Sequence, residues 1–165
     1  MASQTTNPSS YRFNHTMYRV KDPQVSIKFY TEVLGMSLLR KMDHPDAKFT
    51  LYFLAYSDDK KSSAEYDDSV TIESKLFGRQ GVLELTHNWG TENDSSFEGY
   101  QTGNGSSQGY GHIAIAVDDV HSACERLEKL GVPFKKRLQD GRMNNIAFIT
   151  DPDGYWVEII PCPGQ

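Results

Sequence analysis

The feature that most constrains this chain is an internal repeat. A strand, a helix and three further strands recur in the same order in its two halves. Placing His15 on His112 puts Val20 on Val117 and Asp22 on Asp119, and after a one-residue gap Leu34-Gly35 falls on Leu130-Gly131. Few side chains are identical between the halves, but the order of elements is, so the chain reads as two copies of one supersecondary unit.

In the first copy, Phe13–Val20 reads as a strand with His15, Met17 and Arg19 on one face, because strand side chains alternate. Asp22 caps a helix that has Pro23 at its first position, where the missing N–H costs nothing, and Gly35 as its stop. Val25, Phe29, Tyr30 and Val33 form its apolar stripe, and the helix is expected to run to about Leu34. Strands follow near 36–42 and 49–56, then a polar insertion over 57–80, then a strand over 81–89 that puts Glu84, Thr86 and Asn88 on one face. The stretch 90–110, rich in Gly, Ser, Asn and Gln, is a linker, expected to be flexible.

The second copy has a strand over 111–117, a helix over 120–130 entered at Asp119 and stopped by Gly131, and strands near 133–137 and 145–150. Its last strand is launched by Asp151-Pro152-Asp153-Gly154, a turn in which proline presets φ, the aspartates bond the local backbone and glycine takes φ > 0. The expected fold is α+β. A polar arm over 1–10, expected to be disordered, precedes a βαβββ module over 11–89, the linker and a second module over 111–161. Residues 11–161 then form a single domain whose curved mixed sheet surrounds a metal site.

Charge narrows the function. Seventeen Lys and Arg against 22 Asp and Glu give −5, with no basic run, which argues against nucleic acid or an anionic membrane as partner. The N-terminus lacks the apolar core of a signal peptide, and no stretch approaches the roughly 18 apolar residues of a membrane span. A soluble, cytoplasmic protein is expected, with Cys124 and Cys162 as free thiols.

Each half carries one His in its first strand and one Glu in its last, His15 with Glu84 and His112 with Glu158. Glu158 lies between Trp156 and Ile160 on its strand face, where a carboxylate is costly to bury unless something positive meets it. A single strand histidine is more often structural than a ligand, but the same pair at the same step of both repeats points to a shared task. Two imidazoles and two carboxylates suit Zn²⁺, Ni²⁺, Co²⁺, Fe²⁺ or Mn²⁺ and suit Cu(I) poorly. Four protein ligands leave a six-coordinate ion two positions for water or an oxygen substrate. His87 is out of phase with Glu84 and reads as structural, while His44, in a loop, and His121, on a helix, take no role. Arg19 and Asn88 share the ligand-bearing faces and are able to donate to an anionic substrate, although Arg19 reads equally well as a surface residue.

Several of these segments resemble the glyoxalase I family of the vicinal oxygen chelate superfamily. They are Thr16–Pro23, Phe29–Met36, Leu51–Tyr56, Leu83–Glu92 (Leu-Glu-Leu-Thr-His-Asn-Trp-Gly-Thr-Glu), Gly111-His112-Ile113 and Asp151–Ile159. The resemblance covers nearly all of 14–160. It implies a metal-dependent lyase that converts the hemithioacetal of methylglyoxal and glutathione into S-lactoylglutathione through an ene-diolate, detoxifying methylglyoxal. It implies one divalent ion per site, Zn or Ni, with glutathione as co-substrate. The ligands would be His15, Glu84, His112 and Glu158, with Glu158 the main base and Glu84 serving the opposite face of the substrate. Arg19 and Asn88 would hold the γ-glutamyl end, and Arg142 and Met143 would lie in the loop over the substrate. It also implies a homodimer whose sites are shared between chains.

Two departures matter. Gln108 stands where the long eukaryotic form has an arginine, which removes one carboxylate clamp. His15 stands where the zinc-type form has glutamine, while the insertion lengths are those of that form, so both metals stay open. The rival readings are another metalloenzyme of the superfamily, such as an extradiol dioxygenase, and a non-catalytic module that sequesters a small molecule.

Overall fold

The structure, a computed structural model, describes residues 6–56 and 76–162. Each half builds one four-stranded mixed sheet. The first contains β1 (His15–Arg19), β2 (Ser37–His44), β3 (Phe49–Ala55) and β4 (Val82–Asn88), in the order β1-β4-β3-β2. The second contains β5 (His112–Val117), β6 (Phe134–Lys136), β7 (Ala147–Thr150) and β8 (Trp156–Pro161), in the matching order β5-β8-β7-β6. In each module the first strand pairs in parallel with the last, and the others pair antiparallel. Within one chain the strands therefore make two sheets, one per repeat.

The helices start where the sequence predicts. Asp22 Oδ1 accepts from the Gln24 amide at 2.9 Å to begin α1 (Pro23–Lys28), and Asp119 Oδ1 accepts from the Ser122 amide at 2.6 Å to begin α2 (Val120–Lys129). Gly35 and Gly131 end the two helical segments at φ 79° and 73°, a left-handed conformation that glycine adopts without a Cβ clash. The expected single helix to Leu34 changes pitch, because Phe29–Val33 winds as a π-helix. Phe29 and Tyr30, consecutive in this wider turn, are both buried. The other differences are at strand ends. β1 starts at His15, β6 and β7 are shorter than expected, and β2 runs on to His44, which stacks on Phe49 at the strand end and not in a loop.

One core joins the modules. Tyr18, Val20, Leu83 and Leu85 from the first sheet meet Ile115, Ile149, Val157 and Ile159 from the second, with Phe29, Tyr30, Cys124 and Leu127 from the helical segments. Each such buried side chain contributes roughly 1.5–3 kcal/mol. The opposite face of each first strand stays open: His15, Met17 and Arg19 on β1, and His112, Ala114 and Ala116 on β5, are exposed. A smaller core of Phe53, Ala55, Leu76 and Val82 covers part of the open face of the first sheet. Most of the polar insertion, 57–75, lies outside the described residues, but Leu76 near its end is buried.

The Asp151–Gly154 turn also fastens the modules together. Asp151 Oδ1 accepts the amides of Asp153 at 3.0 Å and Tyr155 at 2.8 Å, and its Oδ2 accepts the Tyr30 hydroxyl at 2.8 Å. Asp153 accepts the Lys21 amide at 2.7 Å and the Ser26 hydroxyl at 2.8 Å. Burial, partly offset by these donors, pushes the Asp151 carboxyl up to about 6. The linker, expected to be flexible, is tied down as well: Tyr110 packs edge-on against Tyr18, and the Gly109 amide donates to the Gly103 carbonyl at 3.1 Å. Gly103 has φ 85°, and a Cβ there would run into the Tyr110 backbone. Among the described residues no helix is long and apolar enough to cross a membrane.

Candidate metal centre

Parallel pairing of first and last strands brings each histidine to its glutamate. Met17 is the register partner of Glu84 and Ala114 that of Glu158, so in both modules the histidine sits two residues before the residue paired with the glutamate. His15 Nε2 lies 3.3 Å from Glu84 Oε2, and His112 Nε2 lies 3.2 Å from Glu158 Oε2. Two ligand atoms at right angles, each about 2.1 Å from an ion, are about 3.0 Å apart, so both pairs have the spacing of neighbouring ligands. The imidazoles are 39% and 40% exposed and the carboxylates 12% and 18%, which leaves each pair open on one side.

The surroundings repeat too. Phe53 is the cross-strand partner of Glu84 and Phe148 that of Glu158. His15 meets the Phe53 ring edge-on at 6.1 Å and His112 meets the Phe148 ring edge-on at 5.1 Å, so each carboxylate has an apolar wall on one side and an imidazole on the other. In the first module the tautomer can be worked out. Asn14 Nδ2 donates to the carbonyls of Leu76 at 2.8 Å and Arg79 at 2.9 Å, which turns Asn14 Oδ1 to His15 Nδ1 at 2.8 Å. His15 Nδ1 then carries the proton, which leaves Nε2, 3.3 Å from Glu84 Oε2, with the lone pair that a metal ligand requires. The donor set of both pairs fits a divalent ion of the borderline class.

The two pairs do not meet within one chain. Among the described residues, no three His, Cys, Asp or Glu side chains come together closely enough to hold a metal ion. Arg19 lies on the open face of β1, paired with Thr86, and among the described residues its guanidinium makes no hydrogen bond or ion pair. Asn88 ends β4 and donates to the Tyr100 hydroxyl at 3.0 Å. Arg142 and Met143 are both exposed, in the loop between β6 and β7. His87 is buried against Glu92 at 2.7 Å on the face away from Glu84, a structural pair.

Sequence reasoning missed Asn14, Phe53, Phe148 and Lys136. Lys136 Nζ reaches the carbonyls of Met143 at 2.5 Å and Ile146 at 2.9 Å and so shapes the Arg142–Met143 loop. The repeat carried a usable signal for the phenylalanines, since each lies on the strand next to its glutamate. It carried none for Asn14 or Lys136, which are anchored by backbone carbonyls.

Residues 12–159 match the model of the Glyoxalase/Bleomycin resistance protein/Dioxygenase superfamily. This chain belongs to that superfamily. Within it, the chain is a member of the glyoxalase I (lactoylglutathione lyase) family. It is 55% identical to the lactoylglutathione lyase of Pseudomonas putida over 94% of its own length and 88% of that protein. It is 52% identical to the lactoylglutathione lyase of Schizosaccharomyces pombe over 93% of its length but 46% of that protein, so it spans about half of that relative. Among solved structures, the trypanothione-dependent glyoxalase I of Leishmania major superposes with a TM-score of 0.65 at 38% identity, covering 92% of this chain and 87% of that one. The tandem modules, the parallel first-to-last strand pairing and the open sheet faces are therefore the glyoxalase fold.

Proposed function

We propose that this chain is a glyoxalase I that works as a homodimer, in which the His15–Glu84 pair of one copy faces the His112–Glu158 pair of the other across a divalent ion. The observation that carries the proposal is the geometry of the pairs: two repeat-equivalent His–Glu sets at neighbouring-ligand spacing, each on the sheet face turned away from the main core. Each copy supplies half a ligand set, and a two-fold arrangement of two copies completes two sites. The exposed Ala114 and Ala116 beside His112 offer a smooth sheet surface for close approach. The free thiols Cys124 and Cys162 suit a reducing compartment such as the cytoplasm.

The reaction is isomerisation of the hemithioacetal of methylglyoxal and glutathione to S-lactoylglutathione. When bound, the ion supplies the positive charge that makes the C–H beside the substrate carbonyl acidic enough to lose its proton. Glu158, walled by Phe148 and opposed to His112, takes that proton and returns it to the neighbouring carbon, and Glu84 faces the substrate from the other side. Arg19 and Asn88 bind the γ-glutamyl end, while Arg142 and Met143 close over the substrate. The rival sequestration module would have no use for four ligands at repeat-equivalent positions, and an extradiol dioxygenase would use three of them.

The test is thioester formation from glutathione and methylglyoxal, on protein stripped of metal and then reloaded separately with Zn²⁺ and Ni²⁺. Turnover that depends on the ion supports the assignment and identifies the metal. A folded protein that binds either ion yet forms no thioester would overturn it.

A further inference from the structure

Tyr100, in the linker between the modules, is a residue to which nothing so far assigns a role. Its hydroxyl lies 3.0 Å from Asn88 Nδ2 and accepts that amide's proton. Its ring is fixed edge-on against Phe97 at 4.9 Å, and the Lys21 ammonium sits over the Phe97 ring at 5.8 Å. The contact has two consequences. The Asn88 amide is turned so that Nδ2 faces the linker and Oδ1 is left to face elsewhere. The Tyr100 hydroxyl, whose oxygen is occupied as an acceptor, keeps its own proton without an acceptor among the described residues.

The γ-glutamyl end of glutathione carries a carboxylate and an ammonium on one carbon. A site for it needs donors for the first and an acceptor for the second. Arg19, one strand over and without a partner among the described residues, is a donor only. Gln108 is neutral where relatives of the long form bring a second cation. Resting on the glyoxalase I reading above, we infer that Tyr100 is a positioning and specificity residue: it holds Asn88 with its carbonyl oxygen toward the substrate ammonium and offers its own hydroxyl to the adjacent carboxylate. Removing the hydroxyl frees the Asn88 amide to flip, and the acceptor for the ammonium is lost. Turnover at the reacting carbons, which depends on the His–Glu pairs, is untouched.

The experiment uses the full-length metal-loaded protein and Tyr100→Phe, which keeps the ring and its packing on Phe97. Native protein and variant are assayed with hemithioacetals of glutathione and of des-amino glutathione, which lacks the α-ammonium. With glutathione, Y100F should raise KM about tenfold, equivalent to one good hydrogen bond, and leave kcat within about twofold. The native preference for glutathione over the des-amino thiol should shrink several-fold in Y100F, a change that a loss of general stability would not produce. A variant with the native preference ratio and native KM would overturn the inference. No turnover by native protein with any thiol would instead sink the glyoxalase reading, so the two failures are distinguishable.

Discussion

The rings of Tyr18 and Tyr155 stack 4.1 Å apart and parallel to within 1°, joining the first strand of one module to the first residue after the Asp-Pro-Asp-Gly turn of the other. The Tyr155 hydroxyl adds a bond to the Arg19 carbonyl at 3.2 Å. Tyr18 is buried while its neighbours Met17 and Arg19 are exposed, as alternation requires, so the face of β1 that carries this stack is inside and His15 is turned outward. The same alternation at Ile115 turns His112 outward.

The proposed sharing of sites between two copies predicts complementation. His15→Ala and Glu158→Ala should each be inactive as homodimers, because each lacks a ligand or base at both sites. Mixed after dissociation and reassociation, they form heterodimers with one intact and one doubly damaged site, so an equal mixture should recover about a quarter of native activity. If one chain built its own site, mixing would recover nothing. Light scattering should give a mass of about twice 18.7 kDa.

Glu158→Gln removes the proposed base but keeps an oxygen donor. Turnover should fall by roughly 10²–10⁴-fold, the range of general base catalysis, while metal analysis finds most of the ion still bound. A variant that retains substantial activity would hand the base role to Glu84.

His15→Gln exchanges an imidazole for an amide oxygen. If the first ligand sets the metal class, the ratio of Zn²⁺-supported to Ni²⁺-supported kcat/KM should rise on the order of tenfold. An unchanged ratio would move control of the metal to groups around the ligands, with Asn14 the first to examine.

Asp151 gives a pH dependence with a defined sign. Its carboxyl rises from 3.8 to about 6 in the folded protein, so between these values the folded state holds the extra proton. The stability this contributes is complete below the lower value and is lost as pH rises through the upper one. Relative to native, Asp151→Asn should therefore be more favourable at pH 7.5 than at pH 4 by about 2 kcal/mol. Denaturant melts at both pH values measure this, and equal differences at the two would contradict it.

Much of the site was legible because its chemistry sits at fixed steps of strands. His15 and Glu84, and His112 and Glu158, each fall on one face by alternation, and parallel pairing of first and last strands brings them within 3.3 and 3.2 Å. The π-helical turn at Phe29 was not legible, since the apolar stripe of the segment fits an α-helix locally and the bond that holds Tyr30 inside comes from distant Asp151. The linker looked loose by composition, yet Tyr110 and Gly103 fasten it through contacts that composition does not encode.

The sequence by itself determined the repeat, the elements, their caps and turns and the placing of one His–Glu pair in each repeat, because alternation, capping and turn chemistry act over a few residues. Tertiary structure alone decided that the modules pack with their tyrosine faces together and their ligand faces apart, that Asn14 orients His15 and that Tyr100 orients Asn88. The contacts that lock the modules join residues as far apart as Tyr30 and Asp151, 121 positions along the chain, and no local pattern records which distant side chains will meet.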